Sequence, residues 1–578
     1  MIPGGSKLTP GQNPLTLSVN QSPCLQWRTG KNVMLGLMQR QPLLVSSILV
    51  HASRHHARAE IVSRQDDGST TRVTYAAMER RARRLATALN TLGVQPSDRV
   101  ATLAWNSQRH LELYYAVSGS GRVIHTVNPR LAPDDIVHIL NDAGSVVLCA
   151  DPSFAALLDQ VAARAPALRA IVVMTGPDGM PEIDVPQPVF CYETLLLDGT
   201  EDYAWPTLDE NLASALCYTS GTTGRPKGVL YSHRSTLLHA YAINLADVFG
   251  LRACDRVMPV VPMFHVNAWG LPYAAPLVGA SLIMPGRHLD GASVLTLMNT
   301  ERVTFSAGVP TVWLGLMQHL DKTCGTLDTL KRLICGGSAC PPLIIDTFRD
   351  KYGVTVDHAW GMSETSPLGT CYADKPGFDD LPEAQRARQP YKQGRAIAGI
   401  DMRIVDDQGA ELPWDGATFG NLQVRGPWVT QRYMNAPEDA CAPDGWFSTG
   451  DVATIDTQGN MEITDRTKDI VKSGGEWISS IQLENIAVGH PDVSEAAIVA
   501  ARHPKWDERP LLVVTAKPGR TIDPASLLAL YPGQVAKWWI PDEVVIVDEL
   551  PHTATGKLNK LALRQQFRGF VLSSLAAD

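Results

Sequence analysis

Residues Cys217–His233, CYTSGTTGRPKGVLYSH, crowd hydroxyls, glycines and one lysine into a short stretch bounded by apolar residues. Glycines let backbone N–H groups close on an oxyanion, the hydroxyls add donors, and Lys227 adds positive charge. ALCY, just upstream, reads as a strand, so Thr219, Ser220, Gly221, Thr222, Thr223 and Gly224 form a strand-to-loop cradle suited to phosphate. Pro226 stands where a Walker loop carries glycine, which separates this loop from that class. A polar surface turn has the same composition, so the loop alone leaves both readings open.

Five further stretches follow it: PMFHVNAWG (262–270), WGMSETSP (360–367), DGWFSTGD (444–451), DRTKDIVKSGGEWISS (465–480) and PHTATGK (551–557). With the loop, they resemble in type and order the motifs of the adenylate-forming superfamily of acyl-CoA synthetases, adenylation domains and luciferases. The resemblance runs from about Met34 to Phe567, and HTVNPRL (125–131) with SGGEWIS is similar to the fatty acid-CoA ligase branch.

That resemblance implies a carboxylic acid, ATP and CoA as substrates, and acyl-CoA, AMP and pyrophosphate as products. A carboxylate is a poor acyl donor, and attack on the α-phosphate of ATP converts it to an acyl-adenylate whose AMP can leave. Carboxylate and polyphosphate are both anionic, so cations and fixed donors must offset their repulsion.

The resemblance also implies roles. The loop, with Lys227, embraces the β/γ-phosphates; Thr219 and Glu364 match the Mg²⁺ positions, and hard oxygen donors suit that ion. Gly336, Gly337, His358, Ala359 and Trp360 frame adenine, Ser363 reaches the α-phosphate region, and Asp451, aided by Arg466, accepts from the ribose hydroxyls. Lys557 meets the carboxylate and α-phosphate during adenylation. Lys468 matches the hinge of a small mobile domain, Lys472 the segment that enters for thioester formation, and Trp477 an aromatic near the nucleotide. His265, Val266, Trp269 and Gly270 fall at the acyl pocket, with Trp269 at a gate position. Taken by themselves, Trp360 and His265 equally suit ordinary core residues.

The elements that must position these residues are legible as pattern. Tyr75–Leu92 carries apolar residues at helical spacing between the cap Thr74 and the stop Gly93. Apolar runs at Ser145–Ala150, Ala170–Met174 and Arg332–Gly337 alternate with helical stretches at Ser235–Val248 and Ala292–Asn299. That alternation predicts a largely parallel sheet covered by helices. After about residue 395 the runs shorten, with turns at Asp407–Gly409, Asp444–Gly445 and Thr457–Gly459. The expected fold is α/β: a large N-terminal domain over 34–465, ending in a β-rich subdomain, then a small mobile α+β lid domain over 466–578. Residues 1–33 lack periodicity and an apolar signal core, which predicts a disordered extension and makes Met34 a candidate start.

Thirty residues, Val257–Gly286, contain no Asp, Glu, Lys or Arg. Five prolines, His265 and Asn267 argue against a transmembrane helix and for a buried segment walling an apolar pocket. Across 578 residues, 51 Lys plus Arg against 59 Asp plus Glu give a net charge of -8, with no basic patch for nucleic acid. Ten cysteines without paired spacing point to a reduced, cytoplasmic setting, and Cys335 and Cys340 lack a second pair to complete a zinc set. The helix LLVSSILVHASRHH resembles the dimer-contact region of the fatty acyl branch, which implies a homodimer. Medium-chain fatty acid is the expected acid. A short thioether acid such as methylmercaptopropionate is the alternative within the branch; charging of a carrier protein and non-catalytic nucleotide binding are the alternatives outside it.

Overall fold

The computed structural model describes residues 36–219, 225–474, 476–552 and 558–572. The extension 1–33, loop residues Ser220, Gly221, Thr222, Thr223 and Gly224, and Lys557 lie outside the described residues. Of the unit Met1–Gln41, the described part, 36–41, carries no helix or strand.

Within Pro42–Asp578 the described residues form four sheets. One has seven strands in the order Val189–Cys191, Ala170–Val173, Ser145–Ala150, Arg99–Leu103, Val123–Thr126, Ala213–Tyr218, Gly228–Ser232. All its neighbours are parallel except the last pair, a hairpin whose connection is the phosphate-loop candidate. The second sheet has nine strands; Phe305–Gly308, Arg332–Cys335 and Thr355–Gly361 run parallel beside Arg256–Pro259. Helices cover the sheets because parallel strands need crossovers and bury both faces. Ser145–Ala150 is accordingly buried at every position.

The helix at Tyr75 runs to Thr91, and the Thr74 side chain accepts from the Ala77 N–H as its cap. The expected helix at Ser235–Val248 spans His233–Ile243, starting at a Ser232–Ser235 capping box and ending before Asn244. The β-rich subdomain is a four-stranded antiparallel sheet, Asp401–Val405, Gly420–Arg425, Phe447–Ile455 and Met461–Arg466. Its turns use Gly409 and Gly459 with φ of 83° and 82°, a conformation open to glycine. A five-stranded sheet built on the long pair Val493–His503 and Asp507–Ala516 follows, with the helices Ser480–Val488 and Lys560–Gln566. Among the described residues, no helix is long and apolar enough to cross a membrane.

In open α/β sheets the carboxyl ends of parallel strands are where ligand-binding loops gather. Here the ends of Arg256–Pro259, Phe305–Gly308 and Arg332–Cys335 deliver Pro262–Gly270, Val309 and Gly336–Gly337 to one edge. The uncharged stretch becomes a strand, an irregular loop, the helix Leu271–Val278 and the strand Ser281–Met284, nearly all buried. Its irregular backbone needs hydrogen-bond partners, and Asn106 supplies several. Its Nδ2 donates to the Pro259 and Val261 carbonyls at 2.8 and 2.9 Å, and its Oδ1 accepts from the Met263 N–H at 2.6 Å. Each buried group left unpaired costs about 1–3 kcal/mol. Asn106→Ala is therefore expected to lower the thermal midpoint, and a smaller residue that kept wild-type melting would show that the loop holds itself.

Candidate active site

Three clusters of the expected residues assemble around the edge just described. The first joins the phosphate loop to Glu364. The loop is closed at its base by the Thr219 N–H donating to the Lys227 carbonyl at 2.9 Å, and by the Lys227 N–H donating to Thr219 Oγ1 at 3.2 Å. The Lys227 ammonium stands 4.9 Å from the centre of the Tyr433 ring. The Tyr433 hydroxyl donates to Glu364 Oε1 at 2.7 Å. Glu364 is only 7% exposed. Burial, then the Glu364 charge and hydrogen bond, hold the Tyr433 hydroxyl protonated, far above the usual phenol range. Ser363 is fixed through its carbonyl, which accepts from the Tyr231 hydroxyl at 2.8 Å.

The second cluster surrounds Asp451, whose carboxylate is 2% exposed. Trp360 Nε1 donates to Oδ2 at 3.0 Å, and Arg466 Nε pairs with Oδ1 at 2.7 Å. Asp451 and Arg466 are register partners on adjacent strands, so the sheet itself sets that pairing. Gly369 lies under the Trp360 ring, where a methyl group would overlap it.

The third cluster is the junction at Gly336. A methyl group there would stand 2.7 Å from the Ala359 carbonyl oxygen and 3.3 Å from the Trp269 ring. Gly337 follows with φ of 81°. Trp269 closes a left-handed turn: Val266, Asn267, Ala268 and Trp269 have φ of 45°, 50°, 46° and 56°, and Gly270 has 81°. Asn267 Oδ1 accepts from the Tyr114 hydroxyl at 3.1 Å, and a methyl at Gly270 would meet the His239 ring at 2.8 Å. His265 precedes the turn in extended conformation and is half-buried. His358 is turned into the fold: Nδ1–H donates to the Tyr391 carbonyl at 2.8 Å and Nε2 accepts from the Cys340 N–H at 3.2 Å.

Lys468, Lys472 and Trp477 lie outside these clusters. Lys468 is in an exposed turn, its carbonyl accepting from Arg564 at 2.8 Å. Lys472 pairs in register with Trp477 and holds its ammonium 5.7 Å from that ring. Trp477 lines a cleft of about 420 Å³ with Trp538, Trp539, Val405 and Phe419.

This arrangement puts a cationic loop, a buried carboxylate with a tyrosine on it, a second carboxylate between indole and guanidinium, and an apolar wall on one edge. The model of the AMP-binding enzyme family matches residues 49–434, and that of the AMP-binding enzyme C-terminal domain matches 482–557. The chain belongs to the AMP-binding enzyme family. It is 51% identical over 536 residues to a 3-methylmercaptopropionyl-CoA ligase of Ruegeria lacuscaerulensis, covering 93% of this chain and 99% of that one. It is 47% identical over 541 residues to a medium-chain-fatty-acid–CoA ligase of Ectopseudomonas oleovorans, covering 94% and 99%. The crystal structure of ATP-bound MatB from Rhodopseudomonas palustris superposes with a TM-score of 0.76 at 27% identity, covering 91% and 99%. These relatives place the chain in the fatty acid-CoA ligase branch of this adenylate-forming superfamily.

Sequence reasoning passed over Tyr433, Tyr231 and Asn106. The segment QRYMNAPE carries no spacing that marks Tyr433, and its part emerges only when Met434 N–H bonds to the Gly228 carbonyl at 2.8 Å.

Among the described residues, five buried histidines lie in the large domain: burial pushes His110, His233 and His358 down to about 4, and His125 and His239 down to about 3. The folded chain holds these rings neutral while the unfolded chain protonates near 6.5. Stability from this source is therefore complete above pH 6.5 and is lost as pH falls through about 4, and for His125 and His239 through about 3, at up to about 1.4 kcal/mol per pH unit for each ring. Thermal midpoints are expected to drop progressively over that window. His239→Gln, which retains an acceptor for the Leu368 N–H, is expected to make the slope shallower.

Proposed function

We propose that the protein is an ATP-dependent acid–thiol ligase that converts a medium-chain fatty acid, ATP and CoA to acyl-CoA, AMP and pyrophosphate through an acyl-adenylate. The Gly336 junction carries this reading: the Trp269 ring from the uncharged stretch and the Ala359 carbonyl, at the adenine-frame position, meet over one glycine. An acyl chain along the first and a nucleotide along the second would bring carboxylate and α-phosphate together. Each methylene buried against that apolar wall contributes about 0.8 kcal/mol.

In the first step a carboxylate oxygen bonds to the α-phosphorus while the bond to pyrophosphate breaks. Loop N–H groups, Lys227 and Lys557 offset the gathering negative charge. Thr219 and Glu364 offer a hydroxyl and a carboxylate, hard oxygen donors that fit Mg²⁺. That ion, when bound, neutralises charge on the polyphosphate. Asp451 has the acceptor oxygens for ribose hydroxyls, with Arg466 steadying its orientation. In the second step the CoA sulfur attacks the acyl carbonyl, the acyl C–O bond to the phosphate breaks to release AMP, and the thiol proton passes to solvent. Lys472 and Trp477, on the segment past Lys468, are then the residues to approach the site.

A short thioether acid is the second reading, favoured by the 51% identity to the Ruegeria lacuscaerulensis ligase. Pyrophosphate release measured across straight-chain acids and 3-methylmercaptopropionate, with and without CoA, separates the two by kcat/KM. Release from no acid overturns the ligase reading. The half-reactions test the roles of the two lysines. Losing a donor from a preorganised charge site costs about 100- to 1,000-fold. Lys557→Ala is expected to lose that much in acyl-adenylate formation and to convert presynthesised acyl-adenylate and CoA at near wild-type rate. Lys468→Pro restricts φ at the hinge and is expected to spare adenylation and slow thioester formation. Equal slowing of both steps by Lys557→Ala would assign the lysine to the fold.

A further inference from the structure

We infer that Tyr433 is the positioning residue that orients Glu364 for the metal-bound nucleotide and parks Lys227 until the phosphates arrive. The inference rests on the ligase reading and goes beyond it in assigning a role to a residue outside the recognised motifs.

Tyr433 sits on a segment clamped from both sides of the site. At one end the Thr430 N–H donates to the Glu364 carbonyl at 2.7 Å; at the other the Met434 N–H donates to the Gly228 carbonyl at 2.8 Å, just past Lys227. Asn435 extends the second clamp, its Nδ2 donating to the Asp142 carbonyl at 2.9 Å. The segment thus spans from the carboxylate to the root of the phosphate loop, and Tyr433 lies between its anchors.

The side chain uses both of its chemistries. Its hydroxyl bonds Glu364 Oε1 at 2.7 Å, fixing the rotation of a carboxylate that burial leaves with few partners. Its ring face holds the Lys227 ammonium at 4.9 Å, a contact that a polyphosphate outcompetes because full negative charge attracts more strongly than a ring quadrupole. Lys227 is exposed and can swing without breaking the core. Groups that orient metal-ligating side chains from behind typically govern metal affinity by about 10- to 100-fold.

Tyr433→Phe keeps the ring and removes the hydroxyl. Calorimetric ATP binding, measured over a series of Mg²⁺ concentrations, is expected to need about 10- to 100-fold more Mg²⁺ for half-maximal affinity. Saturating Mg²⁺ should restore most of the affinity, while ligand-free melting is expected to fall modestly, because buried Glu364 loses one hydrogen-bond partner. On a Glu364→Gln background the same substitution should change nothing further, because the hydroxyl acts through that carboxylate. Wild-type Mg²⁺ dependence in Tyr433→Phe, or the same loss on both backgrounds, overturns the inference. A general loss of folding would show equally on both backgrounds, so the cycle remains decisive if Tyr433→Phe melts lower. Absence of ATP binding by the wild-type protein would instead overturn the ligase reading, and the role of Tyr433 with it.

Discussion

A carboxylate at 2% exposure cannot stand without partners, and Asp451 draws three pieces of the protein together to supply them. Trp360 comes from the end of a strand in the nine-stranded sheet, Arg466 from the neighbouring strand of the four-stranded sheet, and Arg466 lies two residues before Lys468. The large domain, the β-rich subdomain and the approach to the small domain therefore meet at one buried charge. The same logic holds at Glu364, capped by Tyr433, and at Lys227, resting on the same ring. On the ligase reading, Asp451, Glu364 and Lys227 each hold a protein partner that ligand can replace. Such a site keeps its geometry before binding, and exchange of one partner for another costs less than desolvating a bare ion.

The wall of the apolar side is built on strain. Val266, Asn267, Ala268 and Trp269 all occupy the left-handed region, at about 1–2 kcal/mol each. Val266 is β-branched, the type least suited to it. The turn persists because its surroundings over-determine it: Tyr114 bonds Asn267, the Tyr115 hydroxyl donates to the Pro272 carbonyl at 2.8 Å, and Asn106 fixes the approach. With Trp269 in the left-handed region, its ring lies against Gly336. Strain of this kind gathers where a side chain must be aimed.

Much of this architecture is legible in the sequence because it follows from local rules. The cap at Thr74, the fully apolar strand Ser145–Ala150 and the turn at Gly409 each obey period, capping or conformational freedom. The motif residues were legible by resemblance, and the structure gathers Lys227 and Glu364 around Tyr433, with Thr219 bonded to the Lys227 backbone, and Trp360 and Arg466 around the Asp451 carboxylate. What escaped was non-local. Asn106 bonds residues more than 150 positions away, and Tyr433 reaches back 69 positions to Glu364. No period or spacing encodes such contacts. The left-handed turn escaped for the opposite reason: its residue types prefer other backbone, and only tertiary packing overrules them.

Trp477 and Lys472 locate the remaining constraint. On the ligase reading they must approach the nucleotide, yet here they sit at a cleft against Val405 and Phe419. Movement about Lys468 has to break a short set of bonds. Among the described residues these include the Ser480 N–H on Asp465 Oδ2 at 2.7 Å, the Ser479 hydroxyl on the Thr464 carbonyl at 2.5 Å, Arg564 on the Lys468 carbonyl, and the Asp469 and Ile470 N–H groups on the Arg466 carbonyl beside the hinge. Each such bond contributes about 0.5–1.5 kcal/mol where neutral and about 1.5–3 kcal/mol where Asp465 or Arg564 takes part, and water or new partners compensate on separation. The costly pair, Lys560 with the half-buried Glu484 at 2.6 Å, joins residues on the same side of Lys468 and would travel intact. The aromatic surface facing the cleft encloses open volume rather than a packed core, so parting it forfeits little burial. On the ligase reading, a small domain held by exchangeable bonds would be able to adopt two orientations without unfolding, as one site performing two successive reactions requires.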